Sequence, residues 1–493
     1  MEVFEIVVAL LLGGAILAAI ARRIATPYPA LVAIAGAALA LFPRMPTLTL
    51  DPQLVLALFV APVLLDAAFD ASQRDLRRNW RTVLGLALGA VVLTVILVAV
   101  VAHALVPGLP WAAAIALGAI VAPPDAAAAT AVLKQLRPPN RLLVVLEGES
   151  LFNDASALLI YRFAVVASAT GLVSGWSFAG TLLAVGAGSV VLALVMSRVV
   201  TFLITRVHDV ATAVIFQFCS TFAVWLLAER LHLSGILTMV IFAMAVSRQA
   251  AQSIPARMRV PSYAVWEVAV FVLNVLAFIL VGFQLRHIVE RGLWTRYLGV
   301  AAAVCIAVIA ARLLWVSGAA AVSRVALSGR AAAVIGWCGM RGTVTLAAAL
   351  ALPMNFPYRD LIFFTSFAVV LVTLVIQGMT LRPLISWLDV HDDGSVEREV
   401  QLARVETLRA AIDTASRREG SESADLLRRR YELSLRRAQG CVEDDDIARA
   451  ATAAERQRLI ELRDNGTIGD AAFQRVEQEL DLRELDAAAI EER

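Results

Sequence analysis

A chain of 493 residues that is 60% hydrophobic and 17% charged is too apolar for a water-soluble domain, where roughly 45–50% is usual. That composition excludes a soluble enzyme or a nucleic-acid-binding module and points to a polytopic membrane protein. The net charge of +2 conceals a division: residues 1–388 hold 26 basic and 15 acidic side chains, whereas 389–493 hold 17 arginines and 26 acids.

A bilayer core of about 30 Å takes about 20 apolar residues in helix. Thirteen segments are expected to cross: 3–20, 29–43, 53–70, 82–106, 110–132, 141–167, 178–205, 211–229, 234–247, 263–285, 297–322, 330–352 and 361–384. The first run lacks a basic leader and is followed by further spans, so it reads as a true transmembrane helix and not a cleaved signal. Loops after odd-numbered spans hold fifteen basic residues and loops after even-numbered spans six. Cytoplasmic loops carry such an excess, so the N-terminus is expected outside and the C-terminal tail in the cytoplasm. The expected fold is all-α, with a transmembrane domain over 1–388 and a charged helical tail over 389–493. In the tail, Val405, Leu408 and Ile412 recur at helical spacing and Gly420, Gly440 and Gly466 punctuate, predicting three or four amphipathic helices. The four cysteines have no metal-binding spacing and read as small hydrophobes.

Ionised side chains inside a bilayer are costly and mark function or pairing. Six acids fall within the spans: Asp66, Asp125, Glu147, Glu149, Asp154 and Glu267; Arg162, Arg312 and Arg341 accompany them. Span five carries Pro123-Pro124-Asp125 at its middle. Proline lacks the amide hydrogen and clashes with the preceding turn, so the helix should break there. Span six carries Glu147-Gly-Glu149-Ser150-Leu-Phe-Asn153-Asp154. At 3.6 residues per turn, Glu147, Ser150 and Asp154 share one face, and Glu149 and Asn153 a neighbouring one. Span twelve carries Gly339-Met-Arg341-Gly342, a second weak point. Spans five and twelve cross in opposite directions, and two interrupted helices of opposite polarity point to an inverted-repeat transporter with its site at the breaks.

The segments Gly-Glu149-Ser150-Leu-Phe-Asn153-Asp154 and Gly339-Met-Arg341-Gly342 resemble the sodium/proton exchangers of the monovalent cation:proton antiporter-1 family. Val63-Leu-Leu-Asp66, Leu117 to Asp125 and Asn274 to Gly282 are similar to further patterns of that family. The resemblance spans residues 1–388. It implies a thirteen-helix homodimer with two crossed, broken helices. It further implies Asp154 as the cation- and proton-binding carboxylate, Asn153 as its partner, Ser150 as an oxygen ligand, and Asp66 and Asp125 near the ion. Glu149 would pair with Arg341 to join spans six and twelve. Asn before the Asp goes with electroneutral exchange. Many members have Thr before the span-five Asp; here Pro124 stands there, leaving a backbone carbonyl in place of the hydroxyl.

Na+ and Li+ are hard cations that take oxygen ligands, and Asp154, Ser150 and carbonyls freed near Pro123 would supply them. Removing a bare carboxylate from water is penalised, so Asp154 should be neutralised by a cation or by a proton before the site changes its facing. The expected activity is therefore exchange of Na+ or Li+ for H+ across the cell membrane without a cofactor. A K+/H+ antiporter on the same scaffold remains open, since nothing in the motifs selects the ion. A channel should show a repeated filter or rings of charge, and neither is present. An organic-solute symporter would need a larger polar site. Ser150 lacks the second glycine of a nucleophile elbow, and the five histidines have no catalytic spacing. Arg312 and Glu267 are expected to pair with each other, and Arg162 to reach the outer interface.

Overall fold

The computed structural model describes residues 2–24, 27–39, 52–136, 138–170, 175–290, 292–322, 329–390, 392, 394–417, 422–439, 454–462, 465, 476–477 and 480, and the regular structure among them is helical throughout. The chain separates into two compact units, Met1–Asp393 and Gly394–Arg493.

The first unit opens with α1 (Glu2–Arg23) and α2 (Tyr28–Leu39). A continuous helical run follows, made of α3 (Pro52–Val55), a π-helical turn (Leu56–Val60) and α4 (Ala61–Asp70). Then come α5 (Gln73–Leu105), α6 (Trp111–Val121), α7 (Ala126–Leu136), α8 (Asn140–Thr170), α9 (Gly175–Ile204), α10 (Val210–Arg230), α11 (Gly235–Ser253), α12 (Ala256–Glu290) and α13 (Trp294–Val322). α14 (Gly329–Trp337) and α15 (Thr343–Leu350) are short, and α16 (Arg359–Val372) passes through a second π turn (Thr373–Gln377) into α17 (Gly378–Leu388).

Local chemistry sets several boundaries. The Ser72 hydroxyl accepts from the Asp75 amide at 3.3 Å and starts α5. The Asp209 carboxylate accepts from the Thr212 amide at 2.8 Å and starts α10; this amide holds the Asp209 carboxyl below its ordinary range. Ser234 does the same for Leu237 at the start of α11. Such caps satisfy amides that the first helical turn leaves without partners. The arginine-rich stretch 74–81, expected as a loop, forms the first turns of α5, because the Ser72 cap begins the helix before the apolar run starts.

Eight helical segments among the described residues are long and apolar enough to cross a membrane, and Val8–Ala21 and Gly235–Ala250 are shorter apolar helices. This is fewer than the thirteen expected crossings. The 330–352 segment is split into helices of 9 and 8 residues, α2 has 12 residues, and 40–43 lie outside the described residues. α5 shows the character of a lipid-facing helix. Its face at Val83, Ala87, Val91, Val95 and Val98 is buried, while Leu88, Val92, Ile96 and Val100 are exposed. A helix apolar on both faces suits a bilayer, not water.

α5 packs against α6, α8 and α13, and α6 also packs on α8. A second group joins α9, α10, α11 and α4, and α12 lies along α2. Bilayer-embedded helices associate through close van der Waals contact, favoured by small residues. At Gly118 of α6 an added Cβ would lie 2.8 Å from the Val95 carbonyl oxygen of α5, so only glycine permits that approach.

In the second unit, α18 (Ser395–Ser416) and α19 (Glu422–Ala438) pack on each other as a helical hairpin, and residues 454–462 are helical. Most of the remaining tail, where a fourth helix was expected, lies outside the described residues.

Candidate functional site

The two expected breaks are present and they touch. α6 stops at Val121 and α7 begins at Ala126, with Pro123 and Pro124 buried between them; α14 stops at Trp337 and α15 begins at Thr343, with Gly339 and Gly342 in the gap. The Asp125 amide donates to the Met340 carbonyl at 2.6 Å, joining one break to the other. An added Cβ at Gly342 would fall 1.6 Å from Asp125 Oδ2, so the absence of a side chain lets the two segments meet.

Each break frees helix-end groups that must find partners in a low-dielectric interior. Arg341 satisfies the C-terminal end of α6: Nε donates to the Val121 carbonyl at 2.9 Å and Nη2 to that of Ala122 at 3.2 Å. Nη1 donates to the Gly339 carbonyl. Arg312, on α13, reaches the last turn of α14, where Nη2 donates to the Ile335 carbonyl at 3.2 Å. A cation at a helix C-terminus opposes the negative end of the helix dipole. Asp125 serves the opposite ends. Its Oδ1 accepts from the Ala127 amide at 2.9 Å and the Ala128 amide at 3.4 Å at the start of α7. Its carboxylate also accepts from the Thr343 amide at the start of α15.

α8 crosses beside the breaks and separates its polar residues onto the two faces read from helical spacing. Glu147, Ser150 and Asp154 line a cavity of about 400 Å³ together with Pro123, Pro124, Asp125, Gly342, Thr343, Asn274 and Asp66. The Ser150 hydroxyl donates to the Pro124 carbonyl at 3.0 Å and accepts from the Ala126 amide at 3.4 Å, spanning the break. Asp154 is buried, and Asp66 is half-buried on α4. The neighbouring face holds Asn153, whose Nδ2 donates to Glu149 Oε1 at 3.2 Å.

The pair expected between Glu149 and Arg341 is not formed. Glu149 takes a two-pronged contact from Arg312, through Nη1 to Oε1 and through Nη2 to Oε2 at 2.9 Å. Arg341 is held in the unwound segment with its guanidinium committed to three carbonyls. Arg312 reaches Glu149 from α13, and a planar guanidinium matches both carboxylate oxygens. All three side chains are buried. The expected Arg312–Glu267 pair is likewise absent, because Glu267 sits on an exposed face of α12. Arg162, expected to reach the outer interface, pairs with the part-exposed Glu229 of α10.

The site thus gathers Asp154, Ser150, Asp125 and Asp66 around one cavity. Asn153 is instead bound to Glu149, and Glu149 and Arg341 brace the surrounding helices. Spacing alone did not assign the roles of three contributors. Arg312 was seen as an intramembrane charge but given the wrong partner. Asn274, which also lines the cavity, donates through Nδ2 to the Tyr28 hydroxyl at 3.2 Å; its signal was a lone amide in an apolar span. Thr343 places its amide on Asp125, which only the crossing of the two breaks arranges.

Carboxylates and a hydroxyl in a buried cavity, walled by two interrupted helices that cross at their breaks, define an ion-coupled membrane carrier. Residues 7–387 match the profile of the sodium/hydrogen exchanger transmembrane family, and the chain belongs to that family. It is therefore a secondary active antiporter that exchanges a monovalent cation for protons, a transporter and not an enzyme. An uncharacterized Na+/H+ exchanger of Mycobacterium tuberculosis is 31% identical over 97% of this chain and 95% of its own length. The sodium, potassium, lithium and rubidium/H+ antiporter of Bacillus subtilis is 30% identical over 77% of this chain and 61% of its own. Among solved structures, the sodium proton antiporter MjNhaP1 of Methanocaldococcus jannaschii superposes with a TM-score of 0.65 at 18% identity, covering 77% of this chain and 99% of that one, a likeness of fold.

Proposed function

We propose that Asp154 is the carboxylate for which Na+ (or Li+) and H+ compete, with Ser150 and the carbonyls of the Pro123–Pro124 break as further oxygen ligands. Asp66 and Asp125 contribute negative potential at the same cavity. Asp125 in addition holds the crossing together through its amide acceptors. The supporting observation is that Asp154 and both helix breaks line one cavity. Moving a bare carboxylate through an apolar barrier is costly, so the carrier changes its facing only when Asp154 holds a cation or a proton. That rule couples the two fluxes. With one binding carboxylate titrated per cycle and Glu149 neutralised by Arg312, the exchange is one-for-one and electroneutral.

In this reading Asn153 acts at one remove: its amide steadies Glu149, and through it the α8–α13 contact. The five apolar segments outside the eight long ones also cross, giving thirteen crossings with inverted repeats, the N-terminus outside and the tail in the cytoplasm. The arginine bias of the loops supports that orientation. The working unit is a homodimer, as the family resemblance implies. K+ exchange is the second reading, favoured by the breadth of ions named for the Bacillus subtilis relative. The test is a pH gradient in everted vesicles, dissipated by added Na+, Li+ or K+. Asp154→Asn should abolish the response to every cation, and exchange surviving that substitution would overturn the assignment.

A further inference from the structure

On the membrane unit, away from the ion cavity, Arg77 of α5, Arg198 of α9 and Arg248 of α11 converge on a second cavity of about 570 Å³, and no described residue of its lining is a carboxylate. None of the three pairs with an acid among the described residues. Arg198 folds its Nη1 back onto the Leu194 carbonyl of its own helix at 3.2 Å. Three like charges around one space without a counter-ion repel one another, and an anion between them would relieve that repulsion.

The level of this cavity identifies the anion. Arg77 lies in the first turns of α5, Arg198 in the last two turns of α9 and Arg248 in the last two turns of α11, so three helix ends meet at one membrane face. Nearby Trp80 is exposed, with the Arg81 guanidinium 5.5 Å from its ring centroid. Exposed tryptophan flanked by arginine is characteristic of the headgroup layer. One wall of the cavity is apolar, built from Leu194, Ile241 and Met244. Leu194 adjoins the exposed Val191 and Val195 on the outward side of α9. The pocket is therefore basic at the headgroup level and continuous with a surface that faces acyl chains.

We propose that this pocket binds the phosphate of an anionic membrane phospholipid, with the arginines on the phosphate and the glycerol end against Leu194 and Met244. Basic pockets between transmembrane helices commonly take such headgroups. The bound phosphate would bridge α5, which packs with α6 and α8 of the ion site, to α9 and α11 of the other helix group. If the change of facing in the proposed function moves those groups against each other, the lipid then alters transport rate; the binding itself does not depend on that reading.

The experiment uses the full chain purified in a neutral detergent. Phosphatidylglycerol, phosphatidylcholine or inorganic phosphate is added, and bound lipid is counted by native mass spectrometry beside thermal stability. Phosphatidylglycerol should bind and raise the unfolding temperature, with phosphatidylcholine and inorganic phosphate without effect. Each Arg→Gln change at 77, 198 or 248 should weaken phosphatidylglycerol binding about fivefold, and Arg248→Lys should weaken it less than Arg248→Gln. Unchanged phosphatidylglycerol binding in R77Q, R198Q and R248Q, each checked for native size on gel filtration, would overturn the proposal. Equal stabilisation by inorganic phosphate would overturn the lipid assignment. Cation exchange in phosphatidylcholine liposomes should be unaltered in these variants, because none of the three arginines lines the ion cavity.

Discussion

Arg312 and Arg341 illustrate how a buried guanidinium is accommodated inside a membrane protein. Arg312 is neutralised by the Glu149 carboxylate, whereas Arg341 is solvated by two carbonyl oxygens at the end of α6 and by the Gly339 carbonyl of its own unwound segment. Deleting one partner of a buried pair strands the other charge and costs about 3–5 kcal/mol. Glu149→Gln and Arg312→Gln should each lower the apparent thermal stability of the purified protein strongly. The double variant should lose clearly less than the sum of the two. Arg341→Gln leaves two carbonyls at the end of α6 unpaired, at about 1–3 kcal/mol each, and should couple to Glu149→Gln more weakly than Arg312→Gln does, since Arg341 feels Glu149 through space without bonding to it. Coupling of Glu149 to Arg341 in place of Arg312 would contradict the observed pairing. Asp154→Asn belongs to a different class: it should leave stability intact and remove exchange, because Asp154 lines the cavity and has no counter-ion among the described residues to strand.

The interrupted helices carry the site at the next scale. The Pro123–Pro124 pair ends α6, and the vacant side of Gly342 admits Asp125. Gly342→Ala places a methyl group inside the Asp125 carboxylate. Overpacking of that kind costs about 1–3 kcal/mol, and exchange in vesicles should fall about tenfold or more. Asp125→Ala alongside Gly342→Ala relieves the overlap and should recover expression without recovering exchange. If Gly342→Ala exchanged ions at the normal rate, the close approach of the two breaks would have no functional role. The π turn at Thr373–Gln377 supports the same crossing, since the Thr373 hydroxyl accepts from the Arg341 amide at 3.1 Å.

For the whole molecule, the membrane unit contains the full ion cavity and its own apolar core, while the tail folds at least α18 and α19 into a separate unit. A chain ending at residue 393 should therefore insert and still exchange cations for protons. The pH profile of that truncated chain, measured beside the full one in everted vesicles, reads the contribution of the tail. A complete loss of exchange in correctly inserted truncated protein would show that the tail is part of the transport machinery.

Composition, helical periodicity and proline stereochemistry act over a few residues, so they were legible without a structure. They placed the chain in the membrane, located both breaks to within a few positions and separated the two polar faces of α8. Partner choice was not legible in that way. Glu149 and Arg312 stand 163 positions apart, and Arg341 and Val121 stand 220 apart. Which guanidinium met the carboxylate, and that Asp125 capped two helices at once, was decided by how the segments cross. A local pattern records which groups must be paired inside a bilayer, but only the packed helices bring a given partner within hydrogen-bonding distance.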